Sequence, residues 1–114
     1  PLSFIRLVAP TTPAPRLLEI ARSAQGFLYY VERMGATGAR AALRMETLDE
    51  VRRLRALVDV PVAVGFGVST PEQAREIAGA ADGVIIGSAL IDALDSGGID
   101  AAAALLAELR AAID

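Results

Sequence analysis

Apolar residues fall in short blocks separated by glycine, proline and hydroxyl-bearing turns, and the blocks alternate between two periods. Residues 2–8 (LSFIRLV), 27–31 (FLYYV), 62–64 (VAV) and 83–86 (GVII) are compact apolar runs, interrupted only by Arg6 and the small Ser3. Unbroken runs of this length mark strands covered on both faces rather than half-exposed ones. Between the runs the spacing changes to three and four. Leu17, Ile20, Ala21 and Ala24 form one stripe, Leu48, Val51, Leu54 and Val58 a second, and Ala74, Ile77, Ala78 and Ala81 a third. Leu105, Leu106 and Leu109 give an alanine-rich terminal segment an apolar side. Each stripe predicts a helix with one buried face.

The residues at the ends of these segments agree with that alternation. Thr12 before Pro13 predicts a cap followed by proline at the first helical position, and Gly26 stands where that helix stops. Thr47 with Glu50 fits a capping box, as do Ser69 and Thr70 with Glu72 and Gln73 around Pro71. The last strand ends at Gly87-Ser88 and leads into a short helix over 89–94, which Ser96-Gly97-Gly98 breaks before Asp100 caps the terminal helix. Residues 33–44 carry Gly35 and Gly38 without apolar periodicity, and so predict a long mobile loop of functional character.

Four strands, each followed by a helix, predict a parallel α/β sheet with right-handed crossovers. A barrel and a doubly wound sheet both satisfy that pattern. No GxGxxG follows the first strand, which weakens a dinucleotide-binding sheet. Glycines close the third and fourth strands, where (βα)8 barrels often hold phosphate. A whole barrel takes about 250 residues. Residues 1–114 are therefore expected to form a single unit, a parallel (βα)4 half of a TIM barrel.

Composition narrows the chemistry. With 54% apolar and 22% charged residues the chain is globular, and no apolar run reaches the ~20 residues of a bilayer span. A net charge of −3 disfavours nucleic acid, and Arg52, Arg53 and Arg55 read as a solvated helix face. There is no Cys, no His and no Lys. Thiolate chemistry, disulfides, Schiff-base aldolase chemistry and a P-loop are thereby excluded, and no metal site is expected. Proton transfer would fall to Asp, Glu, Tyr or groups supplied from elsewhere.

The stretch 61–74, PVAVGFGVSTPEQA, is the centre of the candidate site. A strand runs into Gly65-Phe66-Gly67 and then into a helix start, which clusters backbone N–H groups where the helix dipole is positive. Gly87-Ser88 repeats the device one strand later, adding a hydroxyl. The plain alternative for both is a tight turn. Paired at the ends of neighbouring strands, they point to phosphate. Thr37-Gly38 could close over them. Tyr29 and Tyr30 point to opposite faces, one into a barrel and one toward the helix layer. Glu32 follows the second strand and reads as a solvated acid, while Asp59, Asp82 and Asp92 fall at helix ends or on the wrong side. No carboxylate pair for acid–base work emerges.

LVAPTTP (7–13), GFLYYVERMGATGA (26–39), PVAVGFGVSTPEQA (61–74) and ADGVIIGSAL (81–90) together resemble the tryptophan synthase alpha subunit, in the family's order and near its spacing. The resemblance implies strands five to eight of that family's barrel, its C-terminal half. It implies a lyase of tryptophan biosynthesis that cleaves indole-3-glycerol phosphate to indole and glyceraldehyde 3-phosphate without a cofactor, passing indole to a beta subunit. By the same resemblance Gly38, Gly67, Gly87 and Ser88 hold the phosphate, Phe66 lies beside the substrate, and Tyr29 stands near the reacting centre. Residues 33–44 match the family's lid, with Thr37 its supporting threonine. The family's two catalytic carboxylates come from the other half of the barrel, and Glu32 replaces a small polar residue common among relatives.

The isolated chain is thus expected to bind phosphate and to lack lyase activity, in the cytoplasm, with no nucleic-acid or membrane partner. The alternative is a self-associating half-barrel, a phosphate-binding or folding module in which a homodimer takes the place of the missing N-terminal half. Another phosphate-binding barrel enzyme, such as a sugar-phosphate isomerase or epimerase, is disfavoured by the lack of His. Opening at Pro1 on a strand predicts an engineered, proteolysed or split chain.

Overall fold

Four strands lie side by side in chain order: β1 (Arg6–Val8), β2 (Leu28–Val31), β3 (Val62–Gly65) and β4 (Gly83–Ile85). Every pairing is parallel. The chain must therefore travel back past the sheet between strands, and helices α1 (Ala14–Ser23), α2 (Met45–Leu57) and α3 (Pro71–Ala78) do so, with α4 (Ser88–Ile113) after β4. The computed structural model describes residues 2–9, 12–31, 45–65, 68 and 70–114. The expected loop at 33–44 lies outside them.

Strand order decides the architecture. A doubly wound sheet reverses its order at a switch point and places helices on both faces. Here the order β1-β2-β3-β4 has no reversal, so right-handed crossovers deliver every connecting helix to the same face. That is the winding of a barrel.

Register shows which face is which. Val8, Tyr30 and Val64 are paired in one row and Leu28 with Val62 in another, and all five are 1% exposed or less. They pack against Ile20 of α1, Leu48, Val51 and Leu54 of α2, and Ala74 and Ile77 of α3. Burial of these side chains, worth roughly 1.5–3 kcal/mol each, fixes the helices to this face. The opposite face carries Leu7, Tyr29, Ala63 and Gly83 in one row and Val31, Gly65 and Ile85 in the next. No described helix packs there, and Leu7 remains 58% exposed. The expectation of strands covered on both faces is thus met on the helix side alone.

Helix ends follow local chemistry, with two corrections. Thr70 caps α3: its Oγ1 accepts from the Gln73 N–H and the Gln73 side chain accepts from the Thr70 N–H, both at 3.2 Å. Thr12 does not cap α1. Pro13 occupies the cap position, and the Thr12 hydroxyl accepts from the Ala9 N–H at 3.0 Å, folding the turn back on itself. Thr47 is no cap either, because α2 has already begun at Met45, leaving Thr47 buried inside the helix. Its expected partner, Glu50, accepts instead from the Tyr30 hydroxyl at 2.5 Å. The expected break at Ser96-Gly97-Gly98 is met at Gly98, where φ +79° and ψ −168° are non-helical and suit glycine alone, so α4 is two helical segments joined at a kink.

Arg52, Arg53 and Arg55 are all exposed, as expected of a solvated helix face, and Arg55 in addition reaches the N-terminal end of the sheet. Its guanidinium donates to Asp82 Oδ1 at 2.9 Å and to the Ala80 carbonyl at 3.3 Å. The other Asp82 oxygen accepts from the buried Val62 N–H at 2.9 Å. One carboxylate thus ties α2, the entry to β3 and the entry to β4 together.

Candidate functional site

The C-terminal ends of the strands form a level rim, because the register sets Val31, Gly65 and Ile85 in one row. Tyr29 begins one row below, on the open face, and its hydroxyl rises to the level of Gly65. A β-carbon built on Gly65 would stand 2.9 Å from Tyr29 Oη, 3.1 Å from its Cε1 and 3.1 Å from Ile85 Cβ. Glycine at the end of β3 is therefore required by the tyrosine laid across it.

On the same rim, two residues beyond β4, Gly87 takes the cap position of α4, and no side chain satisfies the first turn. The Gly87 carbonyl accepts from the N–H groups of Leu90 at 3.0 Å and Ile91 at 3.2 Å. The N–H groups ahead of these lie at the positive end of the helix dipole, an arrangement suited to an anion. Gly87 and Ser88 are both exposed. Space for a β-carbon on Gly87 is open, with nothing within 4 Å. A ligand can approach the backbone here directly.

Of the residues singled out in the sequence, Tyr29, Gly65, Gly87 and Ser88 fall at this rim. Tyr30 lies on the helix face, fully buried, with Glu50 as a partner; the two tyrosines do divide between the faces. Thr37, Gly38, Glu32, Phe66 and Gly67 lie outside the described residues. Asp59 and Asp82 precede β3 and β4 and so sit at the opposite end of the strands, while Asp92 is exposed on α4. Among the described residues no group of three or more acidic side chains could hold a metal ion. No described helix is long and apolar enough to cross a membrane. Sequence reasoning assigned Gly65 to a turn and missed the tyrosine above it, because nothing local to either residue records the contact.

Comparison with known proteins addresses the same segments. The family model described as tryptophan synthase alpha chain matches residues 1–112. The tryptophan synthase alpha chain of Novosphingobium aromaticivorans is 48% identical over 112 residues, covering 98% of this chain and 42% of the relative. That of Synechococcus elongatus is 42% identical over 114 residues, covering 99% and 43%. Among solved structures, tryptophan synthase from M. tuberculosis superposes with a TM-score of 0.83 at 38% identity, over 98% of this chain and 41% of that one. The tryptophan synthase alpha chain of Legionella pneumophila gives 0.77 at 39% identity, over 99% and 43%. This chain therefore spans about two fifths of the length of the relatives it matches, and its strands and helices correspond to a (βα)4 portion of their TIM-barrel fold. Sequential winding, the matched residues and the superposed structures agree: the chain belongs to the tryptophan synthase alpha chain family.

Proposed function

We propose that this chain is the phosphate-binding, C-terminal half of a tryptophan synthase alpha subunit, acting in tryptophan biosynthesis. In that reading residues 1–114 make one half-barrel unit and supply strands five to eight. The observation that carries it is the uncapped start of α4 at Gly87 and Ser88, exposed on the rim where Tyr29 lies over Gly65. Backbone N–H groups, one hydroxyl and the helix dipole are what a phosphate dianion requires. The family resemblance assigns Gly38 and Gly67 to the same cradle, Phe66 to the indole side, and Tyr29 and Thr37 to the support of the reacting end.

The whole alpha subunit would convert indole-3-glycerol phosphate to indole and glyceraldehyde 3-phosphate and pass the indole to a beta subunit, in the cytoplasm and without a cofactor of its own. That retro-aldol step needs an acid and a base at the substrate. On this reading the two catalytic carboxylates come from the other half of the barrel, and this half holds the phosphate handle without breaking the bond. Thermal unfolding in rising concentrations of inorganic phosphate and of indole-3-glycerol phosphate tests the binding, because a ligand of the native state alone raises the midpoint. A rise with both is expected, and no rise with either would refute the phosphate reading. Indole release by the chain alone would refute its inactivity.

A further inference from the structure

Helix α4 both begins and breaks at glycine. Gly87, at its cap position, has φ −131° and ψ −82°, neither helical nor extended. Gly98 has φ +79° and ψ −168°, the mirror image of an extended conformation and essentially closed to L-residues with a side chain. Gly97 is constrained for a different reason. A β-carbon there would stand 2.6 Å from Ala101 Cβ, so the break is tight enough to require two successive glycines. Residues 88–97 are thus a helical segment of ten residues held between glycine joints. Packing divides at the same point. Leu109 lies in the core, and Leu105 and Ile113 pack against it, as does Ile86 ahead of the segment. Among the described residues no side chain from 88–97 joins them. Ser96 donates its hydroxyl to the Asp92 carbonyl at 3.0 Å, a bond internal to the segment. A helix of about ten residues is marginal in water by itself, so what holds its ends decides how far it stays folded.

We propose that residues 88–97 open about the Gly97-Gly98 joint as a unit of their own while 101–113 stay packed, and that an anion at Gly87 and Ser88 holds the segment closed. The first part rests on the joint, which lies inside the chain and does not depend on what stands beside β4. The second part rests on the phosphate reading given above. An anion at the first turn of α4 bonds to N–H groups that converge only while that turn is formed. The segment therefore cannot open without releasing it. The apparent affinity is then the intrinsic one scaled by the fraction of chains in which the segment is closed.

Hydrogen exchange under native conditions reads the two segments separately. Amides of residues 92–97 are expected to exchange through an opening about tenfold or more commoner than that of 103–113. Inorganic phosphate should slow the first set in proportion to the occupancy that isothermal titration gives. Gly98→Ala made with D-alanine, whose preferred angles match the joint as it stands, should make the opening about two- to fivefold rarer by restricting the open state. Gly97→Ala must push Ala101 away and should make the opening commoner, with 103–113 as the internal reference for a variant that has lost its fold. Equal opening of the two sets, or a ratio unmoved by both variants, would overturn the joint. Phosphate that binds by titration yet leaves 92–97 exchanging at their original rate would overturn the coupling. Segments that open separately while titration detects no phosphate would refute the phosphate reading and uphold the joint.

Discussion

Tyr29 lies across Gly65, its hydroxyl oxygen 2.9 Å from where a β-carbon on that glycine would stand. The two residues are on adjacent parallel strands, one row apart and on the same face. Gly65→Ala must therefore push the tyrosine ring aside or move β3 away from Ile85, whose Cβ is 3.1 Å from the same point. Overpacking of this kind costs about 1–3 kcal/mol, and a lower urea midpoint is the expected result. Adding Tyr29→Phe removes the nearest atom and should restore part of the loss. An alanine variant as stable as the parent would show that the tyrosine does not rest there.

At the opposite end of the strands, Asp82 and Arg55 form one ion pair with unequal duties. Removing Arg55 breaks a contact between side chains that are 42% and 35% exposed, where solvent screening limits the value to about 1 kcal/mol or less. Removing the carboxylate also takes the Asp82 acceptor from the Val62 N–H, and Val62 is fully buried. Leaving a buried donor without its acceptor costs about 1–3 kcal/mol. Asp82→Ala should therefore destabilise clearly more than Arg55→Ala in chemical denaturation. Equal losses would place the value in the ion pair instead.

The threonines show how far local sequence could be read. Thr12, Thr47 and Thr70 all stand where a helix cap is plausible, and two of them have Glu or Gln three residues on. Only Thr70 caps, because Pro71 forces the helix to begin after it. Thr47 fails because α2 starts earlier and its apolar stripe carries the residue inward. Thr12 fails because Pro13 takes the cap position and the hydroxyl turns back to Ala9. Thr70→Ala should accordingly cost about 1 kcal/mol by thermal unfolding. A change too small to resolve would mean that the box contributes nothing beyond the proline.

The fold itself was legible because it depends on periodicity: Leu48, Val51 and Leu54 declare the buried side of α2 before any coordinate is known. Strand boundaries were less so, and β1 contracts to Arg6–Val8 because pairing with Leu28–Tyr30 spans only those residues. Contacts between distant segments left no trace in the sequence. Glu50 reads as a capping acid and is an acceptor for Tyr30; Arg55 reads as solvated and clamps the entry to β4. Gly87 and Ser88 could be singled out as a candidate site because their chemistry is local, belonging to the first turn of one helix.

That locality makes Ser88 the sharpest point at which to test the phosphate site. Its side chain is exposed and caps nothing in α4, so Ser88→Ala should leave the unfolding midpoint in buffer within the scatter of surface substitutions, about 0.5 kcal/mol. A hydroxyl donating to a charged phosphate oxygen contributes about 1.5–3 kcal/mol, and each 1.4 kcal/mol corresponds to about tenfold in affinity. Isothermal titration with inorganic phosphate should show Ser88→Ala weakened about tenfold or more. Ser96, on the same helix, donates to the Asp92 carbonyl at 3.0 Å and lies two turns beyond the rim. Ser96→Ala should bind phosphate as the parent does. Equal weakening in both variants would mean that the anion is attracted by helix α4 in general, while no weakening in Ser88→Ala would remove the hydroxyl from the cradle.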